Sequence, residues 1–237
     1  MDLNIVLFSY NFPHRKTVDF IEILNKNQQK ISLILAANFI KIESPKSILE
    51  NNSHIEYTHP VKLAEKYKVP YYVVKHNSNL TKKLLKKYKI NFGIIAGARI
   101  LDKEIIYSVK YGVLNFHPGL LPYIRGLDSI LWSIYRNYPI GVTAHLIDEK
   151  IDSGQLVMKK KININCDDNL ESLYEKNYQL QLYLLPLTLN LIAKKNNFSI
   201  LLNHGEYNSK MSYETQLEIQ KKINYYIQKN STLWVKK

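Results

Sequence analysis

Short unbroken apolar runs alternate with stretches of helical periodicity through the first half of the chain, and this alternation limits the fold more than any other feature. Residues 4–9 (NIVLFS) and 31–37 (ISLILAA) read as buried strands, with 17–24 (TVDFIEIL) between them at helical spacing. Helix is expected at 61–67, strand at 71–74, a Lys-rich amphipathic helix at 80–88 and strand at 92–96. Strands that are apolar on both faces and separated by helices form a parallel sheet covered on both sides. Two further strands, 113–116 and 142–146, flank a loop and a helix near 129–136. The expected fold is a three-layer α/β domain over residues 1–165, with 166–237 as a C-terminal helix and tail packed on it.

The second part is read from its caps. Asp167-Asp168-Asn169 precedes a periodic stretch at 170–195, where acidic groups favour a helix start and Lys194-Lys195 its end. Pro186 should kink this helix or split it in two. A short apolar piece at 198–202, a polar turn at 203–210 and a helix near 213–228 complete the chain. These are too short and too polar for a second sizeable domain.

Composition excludes several classes. The single cysteine of the 237 residues, Cys166, rules out an internal disulfide framework and a cysteine-rich zinc site. No apolar run reaches the roughly 18 residues of a membrane span, and the first residues read as a strand rather than a signal segment. A cytoplasmic protein with no membrane partner is expected. The net charge of +13 favours anionic partners, yet only four of the 33 basic residues are arginines (Arg15, Arg99, Arg125, Arg136). Specific reading of phosphates and bases leans on the planar arginine fork, so the scattered lysines read as solvated faces and no stable nucleic-acid partner is expected.

Five of the eight glycines and three of the eight prolines fall between Gly112 and Gly154. Turn residues so concentrated mark loops of demanding geometry, which α/β folds place at their sites. Asn115 and His117 lie at the end of a strand and, two apart, point the same way. Asp152 ends another segment before the turn signal Ser153-Gly154. An amide that donates to an oxyanion, an imidazole that titrates near neutrality and a carboxylate that orients it are the parts needed to move an acyl group onto an amine. Taken singly, each is as readily a loop-capping Asn, a satisfied His and a turn Asp.

Together with their surroundings they form a pattern. Asn115-Phe116-His117-Pro118, Leu120-Leu121-Pro122, Arg125-Gly126, Gly141-Val142-Thr143-Ala144-His145 and Ile151-Asp152-Ser153-Gly154 follow one another in an order that resembles the 10-formyltetrahydrofolate-dependent formyltransferases. The resemblance implies a Rossmann-like, mostly parallel sheet and makes Asn115, His117 and Asp152 the catalytic residues. Gly119 stands where the family commonly has Ser, a change expected to stay within the turn and leave these three untouched.

The resemblance also implies 10-formyltetrahydrofolate as formyl donor, with tetrahydrofolate as product. Ala96, Gly97, Ala98, Arg99, Ile100 and Leu101 resemble one wall of the pterin pocket, and Ile147, Asp148, Glu149 and Lys150 the second. On the acceptor side it implies Tyr10, Asn11, Phe12, His76, Asn77, Tyr123, Arg125, Gly126 and Tyr207. Segment 9–17 lacks the glycines with which glycinamide ribonucleotide transformylases hold a phosphate, and Arg125-Gly126 replaces their Pro-Gly. The methionyl-tRNA enzymes share Arg-Gly but add a C-terminal barrel for which the tail is too short.

The branch most similar is that of the nucleotide-sugar N-formyltransferases, which carry a Tyr-Tyr-x-Arg segment like the degenerate one at residues 205–210. Asp128 and Lys210 depart from that branch's pattern. The expected acceptor is a nucleotide-linked amino sugar, a dTDP-4-amino-4,6-dideoxyhexose for a surface polysaccharide such as O-antigen lipopolysaccharide. Its base would stack on tail aromatics such as Tyr207 or Trp234. The apolar, tyrosine-rich C-terminal third offers a homodimer interface. Alternatives are a methionyl-tRNA or glycinamide ribonucleotide enzyme, and a non-enzymatic basic module for polyanions.

Overall fold

Alternate residues of the first strand feed opposite sides of the sheet, and this makes the chain fold in three layers. The computed structural model describes residues 2–41, 43, 45–49, 56–194, 198–201 and 206–231. In β1 (Ile5–Tyr10), Ile5 and Leu7 face one apolar cluster, while Val6 and Phe8 face another. The first cluster takes Phe20, Ile21 and Leu24 from α1 (Arg15–Lys26). These lie at helical spacing, so one stripe of the helix is apolar.

Strand β2 (Ile31–Ala37), helix α2 (Pro60–Lys66), β3 (Tyr71–Val73), α3 (Asn79–Lys87), β4 (Phe92–Ile95), α4 (Lys103–Ile106) and β5 (Val113–His117) continue the alternation. Then come β6 (Arg125–Gly126), α5 (Ser129–Tyr135), β7 (Gly141–Leu146), β8 (Gln155–Lys161), α6 (Leu170–Lys194), β9 (Ser199–Ile200), β10 (Tyr207–Asn208) and α7 (Tyr213–Asn230). The main sheet has the order β3-β2-β1-β4-β5-β7-β8-β9. It is parallel from β3 to β5 and antiparallel from β7 to β9. The mostly parallel sheet with helices on both faces matches the expected fold class.

Strand order reverses at β1, with β2 on one side and β4 on the other, and ligand crevices in such sheets open beyond the strand ends at a reversal. Thr17 ties the two sides together: its hydroxyl donates to the Ala96 carbonyl at 3.2 Å. A Cβ on Gly97 would lie 2.7 Å from Tyr10 Cδ2, so glycine lets the β4 exit close onto the start of α1.

The structure adds strands that the sequence pattern does not show, and it decides against a split at Pro186. Helix α6 continues through Pro186 as one element and is not split there, with Leu184, Leu185, Leu189 and Ile192 anchoring the turns around it in the core. Strand β8 was not anticipated, since its outer residues Lys159, Lys160 and Lys161 hide the pattern of an otherwise half-buried strand. The expected polar turn at 203–210 contains β10, which pairs in parallel with β6 as a separate two-stranded sheet. Residues 202–205 and Trp234 lie outside the described residues. Helix α7 packs on α5 in a third cluster that includes Ile130, Leu131, Ile134, Ile219 and Tyr226. Among the described residues no helix is long and apolar enough to cross a membrane, and no acidic, His or Cys cluster could hold a metal ion.

Candidate active site

Strand β5 carries Asn115 and His117 to its C-terminal end, and β7 lies antiparallel beside it with Asn115 opposite His145 and His117 opposite Thr143. The loop after β7 returns Asp152 to the same place. His117 is buried, and its Nδ1 lies 3.2 Å from Asp152 Oδ1. Its Nε2 lies 2.8 Å from the Ile124 carbonyl oxygen and 3.3 Å from Ser129 Oγ. With both ring nitrogens protonated, each N–H therefore has an acceptor.

The Asp152 carboxylate divides its oxygens. Oδ1 faces His117, and Oδ2 accepts the Gly126 N–H at 2.6 Å. Burial alone would raise its pKa. The bond to His117, the charge of that ring, the Gly126 N–H and the charge of His145 outweigh burial and hold it below the usual carboxylate value.

Asn115 is set by a residue that the sequence quoted but gave no role. His145 Nδ1 lies 2.8 Å from the Ser153 carbonyl, which can only accept, so this nitrogen carries the proton. Burial, then the neighbouring charge of His117, lowers its pKa to about 4, so the ring is neutral at pH 7. The Nε2 lone pair then accepts from Asn115 Nδ2 at 3.2 Å. That leaves the second amide hydrogen of Asn115 able to reach a further acceptor. Only the register of β5 against β7 could have revealed this pairing. Thr143 plays a similar part for the intervening loop: its hydroxyl donates to the Gly119 carbonyl at 2.7 Å and accepts the Leu121 N–H at 3.0 Å.

Gly119 corrects an expectation. A Cβ there would lie 2.8 Å from His117 Nε2 and 2.8 Å from the Ile124 oxygen, so the missing side chain is what lets the ring reach that carbonyl. The exchange of Ser for Gly is not confined to the turn.

The residues expected around the donor divide. Ala96 and Leu101 are buried and Ile100 is exposed, on a loop held by Asn77, which donates to the Ile100 carbonyl and accepts the Asp102 N–H. Arg99 donates to the Ile40 carbonyl at 2.9 Å. Among the described residues, the N–H groups of Ala98, Arg99 and Ile100 have no acceptor within the chain. An open row of amides suits a heterocycle edge. Ala98 and Ile147 pack against the same apolar cluster. Ile147 and Asp148 also line a hollow of about 470 Å³ with Tyr107, Gly112 and Gln155, and none of 96–101 takes part in it. Asp148 is occupied with the Lys150 N–H and the Ser153 hydroxyl. Glu149 and Lys150 are exposed beside it.

The acceptor-side residues divide likewise. Tyr10 and Phe12 stack at 4.9 Å beside His14. Asn11 bonds Asn38 and Tyr71. His76 is buried against Phe8, its Nε2 on the Leu35 carbonyl, and Asn77 acts as the loop clamp above. The polar atoms of both bond to groups of the protein itself, His76 to the Leu35 carbonyl and Asn77 to the backbone of Ile100 and Asp102. Arg125 donates to the Ile151 carbonyl at 2.7 Å, and Gly126 acts through its backbone. Tyr123 and Tyr207 are exposed. Half-buried Lys16, another residue the sequence reading passed over, points its amine at the Phe116 carbonyl, and desolvation lowers it to about 8.

A family model described as "Formyl transferase" matches residues 4–189. The chain belongs to the formyl transferase family. Among curated relatives of this formyl transferase, methionyl-tRNA formyltransferase from Thermodesulfovibrio yellowstonii is 42% identical over 102 residues, covering 42% of this chain and 33% of that protein. The chain spans less than half the length of the curated relatives it matches, 48% for the Wolbachia pipientis enzyme. Among solved structures, phosphoribosylglycinamide formyltransferase from Bacillus halodurans has a TM-score of 0.62 at 22% identity, covering 82% of this chain and 97% of that one. PseJ from Anoxybacillus kamchatkensis has a TM-score of 0.59 at 21% identity, covering 94% of this chain and 100% of that one. The PseJ structure is a complex with UDP-4,6-dideoxy-4-formamido-L-AltNAc and tetrahydrofolate.

Proposed function

We propose that the protein is an N-formyltransferase that moves a formyl group from 10-formyltetrahydrofolate to the amine of a nucleotide-linked amino sugar, a 4-amino-4,6-dideoxyhexose carried on dTDP or a related nucleotide. The folate supplies an activated formyl group, and the open amides of Ala98, Arg99 and Ile100 are suited to holding its heterocycle. Asn115, its amide preset by His145, donates to the oxygen on which charge develops during attack. The His117–Asp152 pair takes the proton that the amine gives up. No protein nucleophile is needed when the attacking nitrogen belongs to the substrate.

The choice of acceptor rests on one observation. Tyr123 and Tyr138 lie nearly parallel, 5.9 Å apart, beside a hollow of about 420 Å³ floored by Leu120, Ile124 and Pro139. Lys159 and Lys161 rim it from the same face of β8, and no carboxylate lines it. Aromatic faces beside cations suit a base with its phosphates. Ile124, which lines this hollow, also holds His117 through its carbonyl. The purine route is disfavoured at the α1 start, where the His14 ring already accepts the Thr17 N–H that could otherwise hold a phosphate.

The methionyl-tRNA reading draws on sequence identity in the matched segment, and one assay separates the three. Tetrahydrofolate release is followed with a panel of dTDP- and UDP-linked 4-amino-4,6-dideoxyhexoses, glycinamide ribonucleotide and methionyl-tRNA. Turnover with a nucleotide sugar is expected; turnover with only one of the other two would overturn the proposal. A basic polyanion module would show no release with any of them and no stabilisation by 5-formyltetrahydrofolate.

A further inference from the structure

Asp152 is held from a distance, by a segment more than fifty positions further along the chain. Its Oδ2 takes the N–H of Gly126, and its preceding residue, Ile151, gives a carbonyl to the Arg125 guanidinium. The dipeptide Arg125-Gly126 thus grips residues 151–152 by two bonds. That dipeptide is itself strand β6, and among the described residues its only strand partner is β10, with Tyr207 opposite Arg125 and Asn208 opposite Gly126. Asn208 is buried; its Nδ2 donates to the Arg125 carbonyl at 2.7 Å and its carbonyl accepts the Leu127 N–H at 2.8 Å. Gly126 has φ +87°, and a Cβ on it would lie 2.1 Å from the Asn208 oxygen. The two backbones therefore meet closely, with no space for a side chain between them.

We infer that Asn208 is a positioning residue for formyl transfer: it fixes Arg125-Gly126 from the outside, so that the Gly126 N–H immobilises one Asp152 oxygen and leaves the other for His117. The inference rests on the assignment of Asn115, His117 and Asp152 as the reacting set, and not on the identity of the acceptor. Other bonds hold the same stretch without touching Gly126. Trp132 Nε1 donates to the Ser209 carbonyl at 3.0 Å, and Asp128 accepts the Met211 N–H at 2.8 Å. They supply a matched control.

The test uses the full chain. Asn208→Ala removes the donor and keeps the backbone pair; Trp132→Phe removes a neighbouring bond of the same tail. The titration of the Asp152 carboxyl is read by carbon NMR, with Asp152→Asn assigning the signal. The charged and titratable groups around that carboxyl are His117, His145 and Arg125, with Asp148 in the same loop, and neither substitution changes them. With the Gly126 N–H no longer held in place, the Asp152 titration moves to higher pH in Asn208→Ala and stays in place in Trp132→Phe.

With the acceptor that the panel identifies, kcat falls about tenfold or more in Asn208→Ala. Its acid limb shifts up, and affinity for 5-formyltetrahydrofolate stays within twofold. Equal titrations in both variants and the wild type, with only a common loss in Tm, would reduce Asn208 to a structural staple and overturn the inference. Should Asn208→Ala not fold, Asn208→Ser keeps a hydroxyl donor and is read by the same titration. The NMR measurement needs no acceptor, so a wrong choice of sugar leaves this test intact.

Discussion

Asn115 and His145 face each other across the antiparallel β5–β7 pair, with the amide nitrogen of the first 3.2 Å from Nε2 of the second. The relationship works only while His145 is neutral, because a second proton on the ring would turn an acceptor into a donor aimed at a donor. Burial supplies that condition, lowering its pKa to about 4.

Acid should therefore unfold or disable the protein early. His14 and His145 are lowered to about 4, and His76 is lowered too, each mainly by burial. Bases whose pKa is lower in the folded chain contribute stability that is complete above the unfolded value of 6.5 and is lost as pH falls toward 4. Thermal melts between pH 7 and pH 4 are expected to show Tm dropping through this window. His145→Gln should drop less steeply.

Replacing His117 by Asn keeps a polar side chain of similar volume while removing the group that shares a proton with Asp152. Turnover is expected to fall by about two orders of magnitude or more, with Tm little changed. Retained kcat at saturating folate would remove His117 from the chemistry.

Gly126→Ala combines two faults, a Cβ on the Asn208 oxygen and a left-handed φ of +87°. The strained backbone costs about 1–3 kcal/mol before the clash is counted. Urea unfolding should show a lower midpoint, and activity should be lost along with the Asp152 contact. A midpoint equal to wild type would show that β6 and β10 are not tightly joined.

Gly97→Ala tests the donor side. Its Cβ would fall 2.7 Å from Tyr10 Cδ2, 3.1 Å from Thr17 Oγ1 and 3.2 Å from His14 Nδ1, pushing the 96–101 loop off α1. Titration with 5-formyltetrahydrofolate should show affinity weakened by about tenfold or more. Unchanged affinity would move the folate away from this loop.

Legibility in the sequence followed physical range. The core strands β1, β2, β4 and β5 could be read because both faces are buried and the apolar runs are unbroken. Strand β8 was masked by three lysines, and β6 and β10 are defined only by each other, a pairing that neither two-residue segment encodes alone. The same holds for the site. Asn115, His117 and Asp152 stand out only within the whole family-like pattern, since each alone reads as readily as a loop cap, a satisfied histidine or a turn residue. The partners that fix them, His145 and Asn208, depend on register and on pairing between distant segments.

The contact between residues 125–126 and 207–208 also carries a schedule. A ribosome adds residues in order, so Asn115, His117 and Asp152 are all made well before the strand that steadies them. Until residue 208 has been made, Arg125-Gly126 lacks the strand it pairs with, so the backbone that carries the bond to Asp152 is incomplete. That contact can therefore close only after every strand from β1 to β9 has been made.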